Sequence, residues 1–228
     1  MRSILVLFTI ICLFSCGNER ELQLPEIEKA PVSELQDVSA AYLFYDETKP
    51  DSVDLNRKNL ISTTNWLVNV DKRLTLKQAI PHIKFLQSKK ESSSHKNEKA
   101  KNYFTCHDLS KNNLGFLEFT NCEYYEGTYL EYTAKQSNFN YSKALHANIY
   151  SQNDIELYFS DIPNDSWNSN LKGLVNNITF KLSSFREKIN VILSFDEKMT
   201  FQDYITVKSE LYKMHSANVD ISKHEFIY

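Results

Sequence analysis

The stretch whose reading decides the fold is VILSFDEKMTFQDYITVKSEL, Val191 to Leu211. It opens on a continuous apolar run, short enough for a strand and oily enough to be buried on both faces or nearly so. Asp196 then starts a polar turn. Thr200 stands where a helix N-cap belongs, and Asp203 falls in the first turn, where a negative charge complements the helix dipole. Tyr204, Val207, Leu211 and Met214 recur at three- and four-residue intervals, which is the apolar stripe of a helix. Strand, turn and capped helix are therefore predicted from one short segment.

The same pattern occurs 125 residues upstream without a gap, as WLVNVDKRLTLKQAIPHIKFL, Trp66 to Leu86. Asp71 matches Asp196, Thr75 matches Thr200, Ile80 matches Ile205 and Leu86 matches Leu211. Two explanations stay open: an internal duplication, or two like units that each need an Asp turn and a Thr cap. Gln78, three residues after Thr75, predicts a capping box. Leu76, Ile80, Ile83 and Leu86 form the stripe of this earlier helix, and Pro81 is expected to kink it or delay its start.

Outward from the opening stretch, HANIYSQNDIELYFSDI (146–162) predicts two strands about a turn at Gln152–Asp154. NSNLKGLVNNITFKLSSF (168–185) predicts a helix with Leu171, Leu174, Val175, Ile178, Leu182 and Phe185 on one face. NVDISKHEFIY closes the chain as a strand, giving a β-β-α-β-α-β module over 141–228. Toward the N-terminus, AAYLFYD predicts a strand, and NLISTTNWLVNVD a longer strand or a hairpin pivoting near Asn65. The polar run 88–102 reads as a loop. These belong to an expected lobe over 39–140. The predicted class is α+β, a two-layer helix-on-sheet architecture.

Ala144 to Tyr228 resembles the periplasmic domain of the ExbD/TolR family, the membrane energy couplers of Gram-negative envelopes. The resemblance rests on element order and on a strand–Asp–x3–[ST]–aromatic–x2–Tyr–Ile–x–Val pattern. Asp196, Thr200, Phe201, Tyr204, Ile205 and Val207 match it. It implies binding to an envelope protein, self-association as a homodimer, or contact with peptidoglycan. The family's proton-handling aspartate lies in a transmembrane helix ahead of this domain. The only hydrophobic segment here, Ile4 to Phe14, has no acidic residue, so no residue of this chain inherits that role.

That segment has its own meaning. Arg2 precedes an eleven-residue apolar run broken only by Thr9. A membrane-spanning helix needs ~20 apolar residues, whereas a secretory h-region has this length. The run ends in Leu13-Phe14-Ser15-Cys16, followed by Gly17, and resembles the lipobox of bacterial lipoproteins, with Phe14 as a departure. The resemblance implies a signal peptide over 1–15, cleavage before Cys16 and fatty acylation of its sulfur. The expected location is the cell envelope of a Gram-negative bacterium, lipid-anchored at the periplasmic face or the cell surface. Residues 16–38 are polar and acidic, carry Pro25 and Pro31, and are expected to form a flexible tether.

A net charge of −3 disfavours nucleic acid as a partner, and four glycines in 228 residues disfavour Gly-rich phosphate loops. No G-x-S-x-G, H-E-x-x-H, C-x-x-C or P-loop occurs, so no catalytic residue, metal or cofactor is expected. Cys106 and Cys122 flank a predicted hairpin. A tip near Leu114 would set them opposite each other as a disulfide. A metal site on Cys106, His107 and Cys122 would lack a fourth ligand. EYYEGTYLEYTAKQSNFNY (123–141) is aromatic-rich and alternates in part, as a strand does. Its Tyr124, Tyr125, Tyr129 and Tyr132 are the candidate ligand-binding residues. The expected function is a non-enzymatic, lipid-anchored envelope protein acting by protein–protein or cell-wall contact. The alternative is a surface lipoprotein that binds a glycan through those tyrosines.

Overall fold

The computed structural model describes residues 21–95, 97–136, 144–162, 165–214 and 219–228. The predicted signal peptide, Cys16 and the first residues of the expected tether lie outside the described residues. The chain is a mixed α/β protein with two mostly parallel sheets and, among the described residues, four helices. None of these helices is long and apolar enough to cross a membrane.

The first half carries β1 (Glu26–Ile27), β2 (Val38–Tyr45), β3 (Val53–Asn56), β4 (Asn65–Val70), α1 (Leu76–Glu91), β5 (Asn102–Asp108) and β6 (Asn113–Glu118). The linking part holds β7 (Glu123–Glu126) and α2 (Tyr129–Ala134). The second half carries β8 (Ala144–Ser151), β9 (Asp154–Phe159), β10 (Ser166–Ser169), α3 (Leu171–Leu182), β11 (Ile189–Phe195), α4 (Phe201–Tyr212) and β12 (Val219–Ile227).

Both sheets are built on one plan. A hairpin, β2/β3 or β8/β9, is antiparallel. Its first strand pairs in parallel with the strand that leads into the capped helix, β4 or β11. That strand pairs in parallel with the one that follows the helix, β5 or β12. Thr75 and Thr200 both cap as predicted, and Thr75 with Gln78 completes a capping box. Where the second half places β10 and α3 between hairpin and parallel strand, the first half has only residues 57–64.

The two turn–helix junctions meet. Thr75 and Thr200 form an antiparallel bridge. The Leu76 N–H donates to the Met199 carbonyl at 2.9 Å, and the Phe201 N–H donates to the Leu74 carbonyl at 2.7 Å. The Lys77 N–H donates to the Glu197 carbonyl at 2.9 Å, and the Gln202 N–H to the Lys72 carbonyl at 3.2 Å. In each pair the second bond is the first with both residue numbers exchanged through the 125-residue offset. A pseudo-two-fold axis therefore passes between the two threonines. Asp71 and Asp196 extend the match: each donates its N–H back to the hairpin, to Leu43 and Ile149, at 3.0 Å. Two chance units have no reason to pair in this register, so the geometry favours duplication.

The halves also share one core. Tyr204 of α4 packs on Phe195 of β11 at 5.1 Å and on Phe104 of β5 at 6.3 Å, so this helix serves both sheets. Phe201 meets Phe104 edge-on at 5.1 Å, and Phe104 stacks on Phe119 at 3.8 Å. The buried cluster runs without a break from Ile27 to Ile227. Each large apolar side chain in it contributes roughly 1.5–3 kcal/mol of burial.

Four expectations change. Residues 21–37 are not wholly a tether: β1 pairs in parallel with β5, and Ile27 is buried. Two strand residues held by backbone bonds leave no periodicity to read. The boundary between lobes is crossed, because β7 pairs with β12 in the second sheet. The stretch after β7 is not a strand. Gly127, at φ +132°, turns the chain, and Thr128 with Glu131 makes a capping box for α2. The rest of that predicted strand, from residue 137, lies outside the described residues. Pro81 lies within α1, whose start at Leu76 is not delayed.

Candidate binding face

Strand alternation separates the predicted tyrosines. Tyr124 points into the shared core, where its hydroxyl lies 3.0 Å from that of Tyr204. It is buried, which raises its pKa well above the ordinary phenol value, and it is unavailable to a ligand. Tyr125, one residue on, lies on the opposite face of the second sheet. There it meets Tyr132 at 5.3 Å and Phe226 at 5.8 Å. Tyr129 sits on Phe226 at 5.5 Å and on His146 at 4.6 Å. The structure thus brings three of the four predicted tyrosines together and sends the fourth into the core.

Strand register extends this outer face. Tyr125, Phe226, Ser194, Asn148, Glu156 and Asn168 stand side by side across six strands. The neighbouring row carries Ile192, His146, Tyr158 and Ser166. Tyr129 and Tyr132 of α2 pack over the aromatic end. The other end is open, and Asn148, Glu156, Tyr158 and Ser166 line a cavity of about 530 Å³ there. Asn148 and Tyr150 reach Glu156 only at 3.5 Å, so its carboxylate keeps hydrogen-bonding capacity. Between the two ends His146 is 1% exposed and stacked on Tyr158 at 4.8 Å. Neither of its ring nitrogens has a hydrogen-bond partner. Burial pulls its pKa down to about 4, so it is neutral near pH 7.

Cys106 and Cys122 are free. The β5/β6 turn falls at residues 109–112, so Cys106 faces Gly115 rather than Cys122. Gly115 is required there, since a Cβ would come within 2.3 Å of the Ala30 Cβ. Burial pushes the Cys106 thiol up to about 12. Cys122 enters a different cluster. Its thiol donates to Glu225 Oε1 at 2.8 Å, Lys208 Nζ pairs with the same oxygen, and the Tyr204 hydroxyl donates to Oε2 at 2.8 Å. Burial, then the Glu225 charge, push the Cys122 thiol up to about 12, so it stays protonated and unreactive. Burial works against the Lys208 ammonium, but Glu225 outweighs it and the net shift is upward. This cluster joins β7, α4 and β12. It holds these elements together and offers no open nucleophile.

Among the described residues no three His, Cys, Asp or Glu side chains converge as metal ligands. Sequence reading missed Asn148, Glu156 and Tyr158 as companions of the tyrosines. Their period-two spacing along a strand pair was the available signal. Lys208 and Glu225 carried none, because nothing local distinguishes them from surface charges. No family model, no curated protein and no solved structure matches this chain.

Proposed function

We propose that this protein is a non-enzymatic, lipid-anchored envelope protein of a Gram-negative bacterium. It carries two fused copies of an ExbD/TolR-like module and acts by contact with another envelope protein or with peptidoglycan. The observation that carries the reading is the pair of strand–Asp turn–Thr-capped helix units joined about the Thr75–Thr200 bridge. The Asp turn and the Thr cap recur in both halves, at Asp71 and Thr75 and at Asp196 and Thr200, and the two units are joined within one chain. The lipobox-like Leu13 to Cys16 supports anchoring through Cys16. Co-sedimentation with purified peptidoglycan, and cross-linking to envelope proteins in living cells, test the contact. A chain that stays in the supernatant and cross-links to nothing contradicts it.

The outer face of the second sheet favours a second reading, a glycan-binding lipoprotein. The Tyr158 ring beside the Glu156 carboxylate and the Asn148 amide suits the apolar faces and hydroxyls of a sugar, and Tyr125, Tyr129 and Tyr132 extend the same face as an aromatic platform. On this reading Tyr125, Tyr129 and Tyr132 are the ligand-binding residues and Tyr124 is not. Binding on a glycan array, lost in Tyr129→Ala and Tyr132→Ala but kept in Cys106→Ala, supports it. An empty array contradicts it.

A further inference from the structure

The pseudo-symmetry is also broken beside the two capped helices. Beside α4, residues 23–27 fill a groove as an extended segment. The Gln202 side chain clips the Glu26 backbone: the Glu26 N–H donates to Oε1 at 2.8 Å, and Nε2 donates to the Glu26 carbonyl at 2.9 Å. Lys72 pairs with the Glu26 carboxylate at 2.7 Å. The Lys72 N–H donates to the Gln23 carbonyl at 2.7 Å, and Ile27 is buried. Shifting each receiving residue by 125 gives the matching groove beside α1. Phe201 becomes Leu76, Gln202 becomes Lys77, Ile205 becomes Ile80 and Lys72 becomes Glu197. The first contact is kept, since the Glu197 N–H donates to the Tyr228 carbonyl at 2.8 Å, as Lys72 does to Gln23. Where residues 24–27 would continue there is a cavity of about 270 Å³. Leu76, Ile80 and Ile227 line it with Lys77, Glu197 and Gly127.

We infer that this groove takes an extended segment of a protein partner, one that sets a basic residue next to an aliphatic one. The aliphatic side chain takes the place that Ile27 takes in the filled groove, against Leu76 and Ile80. The basic residue follows from the reversed charge, because Glu197 stands where Lys72 receives Glu26. Lys77 now pairs with Glu197 at 2.7 Å and is largely exposed. On binding it gives up this exposed pair for the partner's backbone carbonyl, as Gln202 Nε2 does, and leaves Glu197 to the incoming cation. This deepens the contact reading and rests on it. The two fail separately, because sedimentation and cross-linking report on the envelope, whereas the assay below reports on the groove alone.

The probes are labelled peptides of residues 21–30, ELQLPEIEKA, in native form and with E26K, titrated by fluorescence anisotropy into the full chain in detergent micelles. The E26K peptide is expected to bind at least about tenfold tighter than the native peptide. Glu197→Lys in the protein is expected to reverse that preference. A misfolded variant would lose both peptides rather than exchange them, and circular dichroism identifies it. If it misfolds, Glu197→Gln, expected to abolish the preference, takes its place. The inference is overturned if neither peptide binds at about 1 mM, if the native peptide binds better, or if the folded variant leaves the preference unchanged.

Discussion

His146 is buried with no polar partner for its ring. Its ring lies between Tyr129 and Tyr158 with both nitrogens unpartnered. Its folded pKa of about 4 lies below the ordinary unfolded value of roughly 6.5. The unfolded chain therefore binds the proton first, and stability falls as pH drops through the window from 6.5 to 4. The loss approaches roughly 3 kcal/mol at the low end. His146→Phe keeps the ring stack, removes the titration and forfeits no hydrogen bond. Urea unfolding at pH 7 and pH 4.5 should show the variant at least as stable as the wild type at the first and clearly more stable at the second. Equal pH slopes would show that His146 does not carry the dependence. Glu225, by contrast, is buried together with its partners. Lys208→Met leaves that charge uncompensated and should cost roughly 3–5 kcal/mol. Adding Glu225→Gln should restore most of the loss, measured by the same unfolding. A double variant as unstable as the single one would mean that the cluster acts through packing alone.

Among the elements, β1 is the one to probe. Asp108 fixes the chain that leaves it, accepting from the Lys29 N–H at 3.2 Å, the Ala30 N–H at 2.8 Å and the Ser110 N–H at 2.9 Å. Ser110, then the Lys29, Ala30 and Ser110 amides together outweigh burial and hold this carboxylate down at about 2. Asp108→Ala should raise amide hydrogen exchange across residues 27–32 by at least about tenfold while α1 and α4 stay protected. Unchanged exchange would mean that β1 pairing alone holds the segment. The elements also show what sequence makes legible. The capped helices and the strand of Val191 to Phe195 follow from periodicity and caps, which are local. β1 and α2 do not. The first is held by Gln202 and Asp108 from distant parts of the chain. The second needs the φ of Gly127 to turn the aromatic run away from strand geometry. The candidate face was half legible for the same reason. Alternation separates Tyr124 from Tyr125, but Tyr129 and Tyr132 reach the sheet only because the chain turns. The disulfide expectation failed by register, since a turn a few residues earlier faces Cys106 with Gly115.

At the scale of the whole molecule, the proposed duplication and the proposed anchoring combine. Gln23 is already bonded to the body through its N–H to Asp71 at 3.2 Å and its carbonyl to Lys72. An extended chain spans at most ~3.3–3.6 Å per residue. A lipid on Cys16 would therefore hold Glu21 within ~18 Å of the bilayer, and the contact face would work close to that membrane. Everything proposed for function requires that attachment. The direct test is the intact mass of the protein recovered from the membrane fraction of its own cells. The account predicts a chain that begins at Cys16 and carries a diacylglyceryl group, with or without a further acyl chain, and a Cys16→Ser variant without either. An unprocessed Met1 chain bearing a free Cys16 thiol would contradict it.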